Sequence, residues 1–115
     1  MEIQYRNRKI EKVCTNMDKA ICNYGKDVAK KLFMTINLLK QALNLLDVKK
    51  YPPANLHPLK GNRNGEWSIY LGKTSGFRLI VTPIDENGGT IKVVNDEDYI
   101  NVLIIEVVEV SKHYE

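Results

Sequence analysis

The sequence predicts an α+β fold: an N-terminal helical hairpin packed on a small, mainly antiparallel β-sheet, within a single domain spanning residues 1–115. Three observations predict it. Apolar residues recur at three- and four-residue steps through the first 46 positions, as on helices. From residue 66 onward they alternate with polar ones, as on strands. Between the two regimes lies a stretch with Pro52, Pro53, Pro58, Gly61 and Gly65, which discourages regular structure and permits turns. At this length the chain can build one modest core and no second one.

Taken in order, residues 2–6 alternate, with Ile3 and Tyr5 on one side, and read as a short strand. Residues 9–23 follow as a helical stretch whose Ile10, Val13, Cys14, Met17, Ala20 and Ile21 share a face. The run Thr15-Asn16-Met17-Asp18 can interrupt it, because Thr or Asn caps a fresh helix start. After Gly25, residues 26–46 carry an apolar stripe from Val28 to Leu46 that includes Leu32, Ile36, Leu39 and Leu43. Met34, Leu38, Ala42 and Leu45 widen it, so the end of this helix is expected to be the more deeply packed. Two helices joined at a glycine make a hairpin.

Beyond the loop, residues 66–71 place Trp67, Ile69 and Leu71 on one face and Glu66, Ser68 and Tyr70 on the other. Residues 77–82 do the same, with Phe77, Leu79 and Val81 opposite Arg78, Ile80 and Thr82. The intervening Gly72-Lys73-Thr74-Ser75-Gly76 makes the pair a hairpin. Residues 85–98 are polar and read as a loop, and residues 102–110 as a strand buried on both faces.

Composition excludes several classes. No apolar run approaches a membrane span, and the opening residues lack the apolar core of a secretory signal, so a cytoplasmic protein without membrane contact is expected. Cys14 and Cys22 have no ligand spacing and read as reduced, core-filling thiols. His57 and His113 stand far apart with no cysteine or carboxylate at ligand spacing, so no metal or other cofactor is expected. The net charge of +3 divides unevenly: residues 1–60 hold 12 Lys and Arg against 5 Asp and Glu, and residues 61–115 hold 5 against 9. A basic front half permits binding to a polyanion, and is also the ordinary appearance of a solvated lysine-rich helix.

Two groups of residues can carry chemistry. The loop Leu56-His57-Pro58-Leu59-Lys60-Gly61-Asn62-Arg63 puts an imidazole, an ammonium and a guanidinium close together. Attack of an RNA 2′-hydroxyl on its neighbouring phosphate needs a base, cations for the phosphorane charge, and an acid for the leaving oxygen. His57 can be acid or base, and Lys60 and Arg63 can hold phosphate; a merely solvated basic loop would look the same. The second group is the tail, where Lys112, His113 and Tyr114 follow the last strand, with Arg78 set in an otherwise apolar strand. Arg78 and His113 can flank one cleft with His57, or be an ordinary strand cation and a frayed end.

These residues resemble the RelE/ParE toxins, in particular the HigB-like plasmid maintenance killer proteins. The likeness is carried by Asn55-Leu56-His57-Pro58-Leu59-Lys60-Gly61, by Gly76-Phe77-Arg78-Leu79-Ile80-Val81 with Pro83, and by the strand running into His113-Tyr114. It spans nearly the whole chain. The resemblance implies a type II toxin that cuts mRNA in the ribosomal A site without a metal. A small helix-turn-helix antitoxin would neutralise it, and the pair would reach operator DNA through the antitoxin. Carried over residue by residue, the catalytic set is His57, Lys60, His113 and Tyr114, with Arg63, Arg78 and Lys112 as RNA contacts. One departure matters: many members end in an acidic residue, then Tyr, then His, whereas here the order is Lys112-His113-Tyr114. On an extended tail that swap turns a side chain to the opposite face. A gyrase-poisoning toxin of the ParE branch is the runner-up, opposed by the two histidines and the terminal tyrosine. A non-catalytic domain that binds only antitoxin or nucleic acid is the third reading.

Overall fold

The computed structural model describes residues 1–112. Strand β1 (Glu2–Tyr5) leads into helix α1 (Arg8–Thr15), which Asn7 caps by accepting a hydrogen bond from the Ile10 amide at 3.0 Å. The expected interruption falls at Asn16. This residue closes α1 in an extended conformation and then caps α2 (Met17–Tyr24) through the Lys19 amide. The restart changes the helical phase, so the single face expected for residues 9–23 does not persist. Ile10, Val13, Cys14 and Ala20 are buried, but Met17, Ile21 and Cys22 are exposed. Cys22 is therefore not a core-filling thiol. Cys14 is, and burial pushes its pKa up to about 12.

Helix α3 (Lys26–Gln41) starts at Gly25, whose φ of 85° suits glycine, and packs against α2 as the expected hairpin. It ends earlier than the apolar stripe predicts. Ala42 turns extended, and Asn44 caps a separate short helix, α4 (Leu45–Lys49), by accepting from the Leu46 and Asp47 amides. An asparagine side chain that binds backbone amides competes with helix continuation. Ala42 and Leu45 are still buried as expected, whereas Leu43 is 78% exposed and Met34 62% exposed.

The sheet runs in the order β1-β5-β4-β3-β2, with β1 parallel to β5 and the other pairings antiparallel. Strands β3 (Trp67–Tyr70) and β4 (Phe77–Ile84) form the expected hairpin, with Trp67, Ile69, Leu79 and Val81 buried against the helices. The loop before them is more regular than its prolines imply. It holds two 3-10 turns, Pro52–Ala54 and Gly61–Arg63, and between them a two-residue strand, β2 (His57–Pro58), that pairs with Ser68 and Trp67. The polar segment 85–98 likewise ends in a short helix, α5 (Asp96–Ile100), started by a capping box in which Asn95 and Asp98 bind each other's backbone.

Strand β5 (Ile104–Lys112) is not buried on both faces. The helices cover one side of the sheet, where Ile105 and Val107 join the core. A bulge beside Ile80 and Val81 shifts the register, and Glu106 before it and Glu109 and Ser111 after it stand half-buried on the side away from the helices. Among the described residues no helix is long and apolar enough to cross a membrane.

Candidate functional site

The face of the sheet without helices holds a depression of about 510 Å³. Its walls come from β2 (His57), β3 (Ser68, Tyr70), β4 (Arg78, Ile80) and β5 (Ser111, Lys112), with Asn55, Leu59 and Arg63 at its rim. Alternation along each strand explains the convergence. Register places Ser68 opposite both His57 and Ile80, Tyr70 opposite Arg78, and Arg78 opposite Ser111. Residues far apart in sequence thus form two adjacent rows on one face of the sheet.

His57 is held by its own segment. Asn55 adopts a left-handed conformation (φ 46°) at the end of the first 3-10 turn, and its carbonyl lies 2.8 Å from His57 Nδ1. A carbonyl only accepts, so Nδ1 carries the proton and donates. In the neutral ring Nε2 is then the free base. Pairing of β2 with β3 fixes the backbone beneath the ring. The imidazole also meets the Tyr70 ring edge-on, with centroids 6.5 Å apart.

The opposite side of Tyr70's neighbourhood is occupied by Arg78, whose guanidinium carbon sits 4.3 Å from the Tyr70 ring centroid. Stacking of this kind orients the planar cation without consuming its hydrogen-bond donors. Lys112 stands near the Phe77 ring, its Nζ 5.6 Å from the centroid. Neither Arg78 nor Lys112 has a carboxylate partner among the described residues.

Arg63 differs. Its guanidinium donates to Glu109 Oε2 at 2.9 Å and lies 2.9 Å from Glu66 Oε1. The hydrogen bond to Glu109, with the added charge of Glu109 and Glu66, holds Arg63 still more firmly in its charged form. Glu66 in turn meets Arg6 at 3.5 Å, and Arg6 meets Glu106 at 3.0 Å. Arg63 therefore lines the depression as a neutralised cation at the end of an ion-pair chain.

Lys60 is exposed and does not line the depression; it immediately precedes the 3-10 turn, where its carbonyl accepts from the Arg63 amide. The structure thus brings together His57 and Arg78, adds Arg63 in paired form, and leaves Lys60 outside the walls; Lys112 borders the depression, but its register partner is Phe77, and its ammonium lies over that ring on the helix-covered side. His113 and Tyr114 lie outside the described residues. Four wall residues, Ser68, Tyr70, Ile80 and Ser111, were not singled out from sequence, and two of them bear on the chemistry. Tyr70 is the neighbour shared by His57 and Arg78, and Ser68 is fully buried with a hydroxyl that has no hydrogen-bond partner among the described residues. Tyr70 had a sequence signal, since alternation already placed it on the face of Arg78. The same alternation placed Ser68 on that face, but its full burial had no signal, because it depends on β2 pairing alongside β3.

No protein-family model matches the sequence, and no curated protein matches it. Among solved structures the chain is similar to a YoeB/ParE toxin from Agrobacterium tumefaciens. The two share 16% of their residues over 99% of this chain and 100% of that one, with a TM-score of 0.51. At this identity the likeness is one of fold.

Proposed function

We propose that this chain is the toxin of a type II toxin–antitoxin pair and acts as a metal-independent endoribonuclease on mRNA, in the manner of HigB-like proteins. The observation that carries the reading is His57. Its tautomer is fixed by the Asn55 carbonyl, and it shares a depression with the Arg78 guanidinium, which has no acidic partner among the described residues. Fold likeness to a YoeB/ParE toxin supports the toxin assignment and, with it, a small antitoxin as partner.

In this reading Nε2 of His57 takes the proton from an RNA 2′-hydroxyl. The 2′-oxygen attacks the adjacent phosphorus, the bond from phosphorus to the 5′-oxygen breaks, and an acid protonates that oxygen. The products are a 2′,3′-cyclic phosphate and a 5′-hydroxyl. Arg78 stabilises the pentacovalent charge, and the acid comes from His113 or Tyr114; His113 as base with His57 as acid is the reverse assignment. Lys60, outside the walls, acts on a neighbouring phosphate. The ribosome presents the mRNA, and operator DNA is reached only through a helix-turn-helix antitoxin. The site of action is the cytoplasm.

The test is induction in cells followed by primer extension across several abundant mRNAs. Wild type is expected to produce discrete cuts, and His57→Ala to reduce them by about 10²–10⁴-fold, the usual worth of a general acid or base. His113→Ala cutting like wild type would remove that residue from the chemistry. Intact mRNA together with inhibited DNA supercoiling would overturn the reading in favour of gyrase poisoning.

A further inference from the structure

A second and larger hollow, of about 880 Å³, lies between helix α3 and the segment 51–55. It adjoins the depression around His57: Asn55 and Tyr70 line both. We propose that this groove is the track for single-stranded RNA flanking the scissile phosphate. The inference rests on the ribonuclease reading above and extends it to residues that neither spacing nor resemblance marks.

Charge is the first support. Among the described residues the two adjoining hollows are lined by five Lys and Arg, one of them the ion-paired Arg63, and by no Asp or Glu, in a chain that holds 14 acidic residues. Lys31 and Lys73 supply the cations in the groove. The Lys31 stem is laid against Gly72 so closely that a Cβ there would come within 2.9 Å of Lys31 Cδ. Packing therefore positions that ammonium at the groove's edge, where a free lysine would sample many directions.

Surface chemistry is the second. Tyr51 is 48% exposed within the groove, and Tyr70 forms the wall it shares with the His57 depression. Exposed rings in a cationic groove are how proteins hold unpaired bases without reading their sequence, by stacking each base while lysines follow the phosphates. The α3 wall interleaves apolar Met34 and Leu38 with polar Asn37 and Gln41, donors and acceptors for base edges. A partner helix laid on its apolar face would prefer a continuous stripe.

Binding of labelled oligouridylates to the full chain, read by fluorescence anisotropy at low salt, tests the proposal. For wild type a decanucleotide is expected to bind at least about 10-fold tighter than a trinucleotide, from added stacking and phosphate contacts. Tyr51→Ala and Lys31→Gln, both surface changes, should remove most of that advantage while leaving trinucleotide affinity unchanged. Lys31→Gln should also flatten the salt dependence of decanucleotide binding by about one unit. Arg78→Ala should weaken both oligonucleotides. If Arg78→Ala weakens both but the groove variants weaken neither, the groove inference fails and the ribonuclease reading stands. If Arg78→Ala changes neither, or wild type binds neither, the RNA reading of both hollows fails. Groove variants that lose affinity for the antitoxin while binding RNA as wild type would assign the groove to a protein and overturn the proposal.

Discussion

At one end of the open sheet face every arginine is answered by a carboxylate. Arg6 meets Glu106 and Glu66, and Arg63 meets Glu66 and Glu109, all within 3.5 Å. At the other end Arg78 rests on the Tyr70 ring and has no carboxylate partner among the described residues. The two ends share one sheet and the same residue types. A cation paired with acids ties strands and segments together and has little attraction left for a phosphate. One held by an aromatic face is oriented and still fully charged. Charge counts along the chain cannot tell the two apart.

The sharpest way to break this comparison is to delete the ring-held cation. Arg78→Ala is expected to lower RNA cleavage about 10²–10³-fold, the usual cost of losing one donor that meets developing charge. Arg6→Ala at the paired end should leave cleavage within about 2-fold and alter stability by no more than about 1 kcal/mol, as for other exposed ion pairs. Arg78→Lys keeps the charge but loses the planar stack on Tyr70, so it should recover only part of the activity. Initial rates on one mapped mRNA, measured for the three variants side by side, check the set. Equal losses for Arg6→Ala and Arg78→Ala would mean that the two ends are not distinct.

A second change converts one end into the other. Glu109→Gln removes the main hydrogen-bonded charge from Arg63 while leaving Glu66 in place. If pairing is what withholds Arg63 from RNA, the variant should bind tighter, and its affinity should fall more steeply with salt by about one unit. For one added phosphate contact the gain at 50 mM salt then exceeds that at 200 mM by about 3-fold. Unchanged salt dependence would mean that Arg63 does not reach the strand even when released.

Much of the fold was legible in the sequence, and the reasons for the misses are local. Alternation correctly assigned the faces of Trp67, Ile69, Leu79 and Val81, and with them the shared face of Tyr70 and Arg78. The break at Asn16 was also visible. The same cap chemistry at Asn44 was hidden inside an apolar run, so Leu43 was placed in the core although it faces solvent. The prolines around His57 concealed a strand only two residues long, which pairing with Ser68 and Trp67 holds in place. In the candidate site, His57 and Arg78 stand out in the sequence because their side chains are unusual where they occur. The neutralisation of Arg63 was not, because Glu109 lies 46 positions away and meets it only through the sheet. Lys60 is near His57 in sequence, but the turn that follows β2 leaves it outside the walls.

The smallest effect is also the most discriminating, because the face carries one orphan hydroxyl at each end. Ser68 Oγ lines the His57 depression, and Thr82 Oγ1 lies on the strand pair opposite Glu106; both are buried with no hydrogen-bond partner among the described residues. A buried hydroxyl without a partner costs about 1–3 kcal/mol, so removing either should stabilise the free protein, by about 1 kcal/mol after the loss of packing. Thr82→Val and Ser68→Ala are therefore both expected to raise the midpoint of urea unfolding. They should part company on RNA. Thr82 faces the ion-paired end, so Thr82→Val should cleave like wild type. Ser68 pairs with His57 across the β2–β3 ladder, where a shift of the His57 segment on binding would open its buried hydroxyl to the strand, so Ser68→Ala should gain stability and lose cleavage by several-fold, about the worth of one neutral hydrogen bond. Gain and loss in the same variant would mark the Ser68 hydroxyl as a group kept for the ligand. A Ser68→Ala variant that is stabilised and fully active would reduce it to a packing defect like Thr82, and would move the boundary between the two ends of the face closer to Arg78.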